Sequence, residues 1–145
     1  MRKKKEPQLN LLNLMPRNKI ARELEAIAQV LDANRDILDL IYRDLAKYRR
    51  TDTGRRGMTA EQVLRCAILK QYRELTYEEL AFHVDDSQAF RSFSRLNMGQ
   101  YPSDSTLQEN ISAIDAETWE AVNRALLRFA AQQDIEKGRT VRVDS

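Results

Sequence analysis

The sequence predicts a mainly α fold: a helical bundle with helix-turn-helix-like elements that ends in one β-strand. Three observations predict it. Gly and Pro are scarce, with 4 and 3 copies in 145 residues, which disfavours a turn-rich all-β architecture. Apolar residues recur at three- and four-residue steps over long stretches. Capping signals precede several of those stretches. Hydrophobic residues make up 42% of the chain and charged residues 32%, enough apolar content for one core.

Residues 1–18 read as a basic flexible arm. Lys3, Lys4 and Lys5 are solvated charges, Leu9, Leu11, Leu12, Leu14 and Met15 could dock the arm onto a partner or the body, and Pro16 breaks the run. Residues 19–57 read as a helical segment followed by a basic loop. Ile20, Leu24, Ile27 and Leu31, then Ile37, Leu38, Ile41 and Leu45, mark a stripe expected to face the core, because no heptad is sustained. The alternative is a dimerisation seam, which leaves a homodimer open. Asp32-Ala33-Asn34 is the expected break, with Asn34 able to cap a second helix. The loop Tyr48–Gly57 concentrates Arg49, Arg50, Arg55 and Arg56 between permissive glycines, a composition suited to phosphate contact.

Residues 58–134 are expected to form a helical domain. Thr59-Ala60-Glu61-Gln62 and Thr76-Tyr77-Glu78-Glu79 are capping boxes, opening helices to about Arg73 and Val84. A short helix around Gln88–Leu96 carries Phe90 and Phe93. Pro102 to Gln108 supplies several candidate caps for a helix through Ile114. Asp115-Ala116-Glu117-Thr118 opens a last helix to about Gln133, with Trp119, Val122, Leu126 and Phe129 on its core face. Gly138 then marks a stop, and Arg139-Thr140-Val141-Arg142-Val143-Asp144 alternates polar and β-branched residues, the pattern of a strand over 139–145.

Charge is unevenly spread. Residues 1–57 hold 14 Lys/Arg against 8 Asp/Glu, a net +6, and residues 58–145 hold 10 against 14, a net −4. A basic N-terminal half suits an arm that meets a polyanion. The single cysteine, Cys66, sits in an apolar run and is expected to be buried and inert. Cys66 and the single His83 cannot assemble a zinc site alone. No apolar segment follows the basic start as in a signal peptide, and no stretch is apolar enough to span a bilayer. A cytoplasmic location with no membrane partner is expected. Adjacent acids such as Glu78-Glu79 point apart on a helix, and nothing suggests a small-molecule substrate.

The segment from Gly54 to Ile114 resembles the N-terminal domain of bacterial DDE insertion-sequence transposases, of insertion-sequence family five and its less-classified relatives. Gly54-Arg55-Arg56-Gly57-Met58-Thr59 is similar to that family's glycine–arginine loop, and Val63–Lys70 to the helix after it. Glu74-Leu75-Thr76-Tyr77-Glu78-Glu79-Leu80 resembles the motif glycine-leucine-serine-tyrosine-arginine-glutamate-leucine, with Glu74 where glycine is common. Phe90-Arg91-Ser92-Phe93 and Pro102-Ser103-Asp104-Ser105-Thr106-Leu107 resemble the later elements.

The resemblance implies DNA as partner, at transposon ends. It implies that Val141–Asp144 is the first strand of an RNase H-like catalytic domain, with Asp144 the first acid of the triad and a ligand for Mg2+. The remaining acids are not in this chain, so the chain alone is expected neither to cut nor to join DNA and to need no cofactor. Phosphate contacts then fall to Lys3–Lys5, Arg49, Arg50, Arg55 and Arg56. Base reading falls to the helix after Ser105, where Thr106, Gln108 and Asn110 stand, the two amides having the donor–acceptor pairs that suit adenine. Two other readings are an inactive transposase gene fragment and a helical protein-interaction or regulatory domain.

Overall fold

The computed structural model describes the backbone of residues 19–48 and 57–144, with side chains over 19–47 and 57–132. The described residues contain helices and no strand. Helix α1 covers 19–33 of them. There follow α2 (Asp36–Tyr48), α3 (Ala60–Arg73), α4 (Tyr77–Asp86), α5 (Gln88–Ser94), α6 (Asp104–Ser112) and α7 (Ala116–Asp144).

Helix α3 is the axis. Every residue from Gln62 to Leu69 is buried, as expected of a helix surrounded on all sides. Helices α2, α4, α5 and α6 all pack on it, and α4 also packs directly on α6. One buried cluster runs from Leu24 on α1 to Val122 on α7. The stripe of α1 and α2 faces this core: Leu24, Leu31, Ile37, Ile41 and Leu45 are buried, while Ile20, Ile27 and Leu38 pack at its margin.

The helix ends follow from local chemistry. Thr59 and Thr76 both close capping boxes, each hydroxyl accepting from the third backbone N–H of its helix while Gln62 and Glu79 reach back to the cap amides. The cap amide and hydroxyl of Thr76 hold the exposed Glu79 carboxyl below its ordinary range. Helix α3 stops at Glu74, whose φ is +52°. Leu75 N–H then reaches back to the Lys70 carbonyl at 2.9 Å, the six-to-one bond of a Schellman stop. A left-handed residue here gives the glycine of the resembled motif a physical reason.

Two elements differ from the sequence expectation. Asn34 closes α1 rather than opening α2: its amide donates to the Val30 carbonyl at 2.8 Å, and its own N–H to the Leu31 carbonyl at 3.1 Å. Of the strand expected over 139–145, the described residues 139–144 are helical instead. Helix α7 continues past Gln133 and through Gly138 to Asp144. A strand needs a neighbour for its backbone groups, whereas a helix satisfies them within itself. One glycine costs a helix only about 1 kcal/mol.

Polar groups inside the bundle lock its helices together. Asp44 of α2 and Thr118 of α7 are both 0% exposed. Asp44 Oδ2 accepts from the Asp115 amide at 3.0 Å and from the Thr118 hydroxyl at 2.5 Å, so α2 caps α7. Burial pushes the Asp44 carboxyl up, but these bonds, with Arg43 at 3.6 Å, outweigh it and leave the group below its ordinary value. Arg65 of α3 is 1% exposed. It donates to Glu61 at 3.2 Å and to the Phe93 carbonyl at 3.2 Å, lies 3.5 Å from Asp32, and stacks over the Phe93 ring. Tyr72 donates to Glu23, joining α3 to α1, and burial together with that carboxylate pushes its hydroxyl up to about 12. Among the described residues no helix is long and apolar enough to cross a membrane.

Candidate nucleic-acid interface

The segment between α5 and α6 is held by side chains from below. Gln62 of α3 and Gln100 of the loop exchange amide hydrogen bonds at 2.9 and 3.1 Å. Gln62 also donates to the Arg95 carbonyl at 2.9 Å. Arg91 of α5 donates to the Asn97 carbonyl at 2.6 Å and to the Gln100 carbonyl at 2.8 Å, and its guanidinium stacks over Tyr101 at 4.3 Å. These bonds fix a tight turn at Asn97–Gln100, closed by Gln100 N–H to the Asn97 carbonyl at 3.0 Å. Gly99, with φ +83°, takes the position that excludes most side chains.

After the turn, Ser103 caps α6. Its hydroxyl accepts from Thr106 N–H at 3.2 Å and donates to Thr106 Oγ1 at 3.1 Å. Asp104 accepts from Ser105 N–H at 2.9 Å. The first turn of α6 thus has the Ser105 and Thr106 N–H groups met and an acid beside them, which disfavours a phosphate there. On the rest of α6, Leu107 and Ile111 are buried against the core while Ser105, Gln108, Glu109 and Ser112 face solvent.

A groove of about 730 Å³ lies along this region. One wall is Gly57, Met58, Thr59 and Gln62 at the start of α3. The other is the 97–102 loop with Ser103 and Thr106 at the start of α6. Gly57 directly follows Arg56 in the chain.

The structure separates the residues read as base contacts. Gln108 is exposed and Thr106 half-buried. Asn110 is 2% exposed, and its amide donates to the Thr106 carbonyl at 2.8 Å; it belongs to the inner face of α6. Lys3, Lys4, Lys5, Arg49, Arg50, Arg55 and Arg56 lie outside the described residues. Asp144 ends α7 instead of ending a strand. Among the described residues no group of three His, Cys, Asp or Glu side chains could hold a metal ion. Sequence reasoning missed Gln62, Arg91, Gln100 and Tyr101, whose partners lie as far as 38 positions away in the chain. The paired glutamines carry no local signature.

Among the described residues, fold and groove together define an all-α domain in which a rigid exposed turn precedes a capped, polar-faced helix. The chain belongs to the family described as Transposase domain (DUF772), whose model matches residues 9–113. That span takes in α1 to α6 and the arginine loop, and ends one residue after α6. No curated protein and no solved structure matches the chain.

Proposed function

We propose that the chain is the DNA-binding part of a transposase, recognising the terminal inverted repeats of its element. Helices α4 and α6 serve as a helix-turn-helix-like pair with α5 inserted between them, and α6 enters the major groove. The observation that carries this reading is that Gly57, the residue after Arg56, and the start of α6 line one groove. Phosphate-neutralising charge and base-reading polar groups then meet the same stretch of duplex. Gln108 has the amide that pairs with adenine, and Glu109 can accept from cytosine N4. Phosphates fall to Arg49, Arg50, Arg55 and Arg56, with Lys3, Lys4 and Lys5, because Asp104 disfavours them at the start of α6.

The test is fluorescence-anisotropy binding to the terminal repeat of the flanking element and to a scrambled duplex, over a salt series. Tighter binding to the repeat is expected. Absence of binding at low salt would overturn the reading.

A further inference from the structure

We infer that the Asn97–Gln100 turn is a wedge, and that Met98 enters a DNA base step beside the one that α6 reads. The inference rests on the proposed DNA binding. Met98 is 99% exposed. A lone exposed apolar residue is ordinary; its anchoring is not.

Both carbonyls that flank the turn, those of Asn97 and Gln100, accept from Arg91. The Asn97 N–H donates to Gln100 Oε1 at 3.0 Å, and the Gln100 amide is bonded to Gln62, itself 3% exposed. The backbone on either side of Met98 is therefore fixed by side chains rooted in α3 and α5. Ordering the tip on binding costs little, since the turn is already in place. Such a foundation is more than a nine-residue connector between α5 and α6 needs.

Arg91 and Arg95 stand between Asp85-Asp86 on one side and Asp104 on the other. From Gln88 to Ser103 the charged residues are Arg91 and Arg95, with no acid among them; Arg95 lies 3.7 Å from Glu61. Tyr101 is 59% exposed with Arg91 stacked on its ring, which places a flat aromatic surface next to the tip. Both Met98 and Tyr101 line the groove that the starts of α3 and α6 border. An apolar side chain of this kind opens a base step and kinks the duplex. Pyrimidine–purine steps yield most readily.

The experiment uses the full chain and a mixed-sequence duplex containing TA and CA steps, at low salt. Peroxide oxidation of Met98, read by mass spectrometry, follows its exposure, with Met58, 7% exposed, as the slow internal reference. Permanganate reactivity of thymines reads unstacking. Bound DNA is expected to protect Met98 and make a thymine reactive. Met98→Leu should keep the thymine signal and Met98→Ala lose it, with the salt dependence of binding unchanged. If DNA binds but Met98 oxidises at the free rate, or Met98→Ala keeps the thymine signal, the wedge is overturned and DNA binding stands. If anisotropy detects no binding, the DNA-binding reading fails and the wedge with it.

Discussion

Removing the Asp44 carboxylate should unfasten α7 from α2. In Asp44→Ala the Asp115 N–H loses the acceptor at 3.0 Å and the Thr118 hydroxyl loses the acceptor at 2.5 Å. Both bonds lie where solvent cannot replace them, Asp44 and Thr118 being fully buried. A hydrogen bond to a charged group contributes about 1.5–3 kcal/mol, so the pair accounts for roughly 3–6 kcal/mol. That is a large part of the ~5–15 kcal/mol available to a domain. Asp44→Asn keeps one acceptor oxygen and should fall between the two.

The pH dependence separates charge from shape. The folded Asp44 carboxyl lies below its ordinary value of 3.8. Its contribution is therefore full above about pH 3.8 and is lost as pH falls from there through the folded value. Urea unfolding followed by helix circular dichroism, for native chain and Asp44→Asn at several pH values, reads this directly. The gap between the two should be constant near neutrality and narrow below about pH 4. A loss under about 1 kcal/mol in Asp44→Ala, or a gap that does not narrow in acid, would refute the reasoning.

Three further outcomes are expected. Arg65→Ala leaves the Phe93 carbonyl and the Glu61 carboxylate without their buried donor and should cost about 3–5 kcal/mol in urea unfolding, with Arg65→Met milder than Arg65→Ala. Glu74→Gly relieves a left-handed φ of +52° and should raise stability by about 1 kcal/mol, whereas Glu74→Ala should gain nothing; a stabilising alanine would count against the strained stop. Burial pushes the Cys66 thiol up to about 12, so a thiol reagent at pH 8 should label the native chain only as fast as it opens, and immediate full labelling would contradict the buried position.

Much of the fold is legible in the sequence because its signals are local. The capping boxes at Thr59 and Thr76 are complete within four residues, and both form. The stripe from Ile20 to Leu45 faces the core as its spacing implies. Asn34 shows the limit of such signals: an asparagine between two helices can serve either end, and only the geometry assigns it to α1. The terminal segment misleads because alternation over 139–144 specifies a strand only where a sheet receives it. Asn110 has the chemistry of a base contact, but its position three after Leu107 turns it inward with that residue. The bonds of Gln62 and Arg65 to Arg95, Gln100 and Phe93 span 28 to 38 residues, and no short window of sequence contains them. For the candidate interface, the sequence points to α6 and the Gly57–Thr59 segment separately; that the start of α3 and the start of α6 share one groove is a tertiary fact.

The most direct test of DNA reading by α6 is the ratio of affinities for the terminal repeat and a scrambled duplex, measured across a salt series for the native chain, Gln108→Ala and the double variant Arg55→Ala/Arg56→Ala. Gln108→Ala should lower the ratio by about 1–3 kcal/mol equivalent at one base position and leave the salt slope unchanged. The arginine variant should reduce the slope by about 0.9 for each phosphate that is no longer neutralised and leave the ratio unchanged. A native chain that binds both duplexes equally, or a Gln108→Ala ratio equal to the native one, would contradict the reading of α6 as the recognition helix.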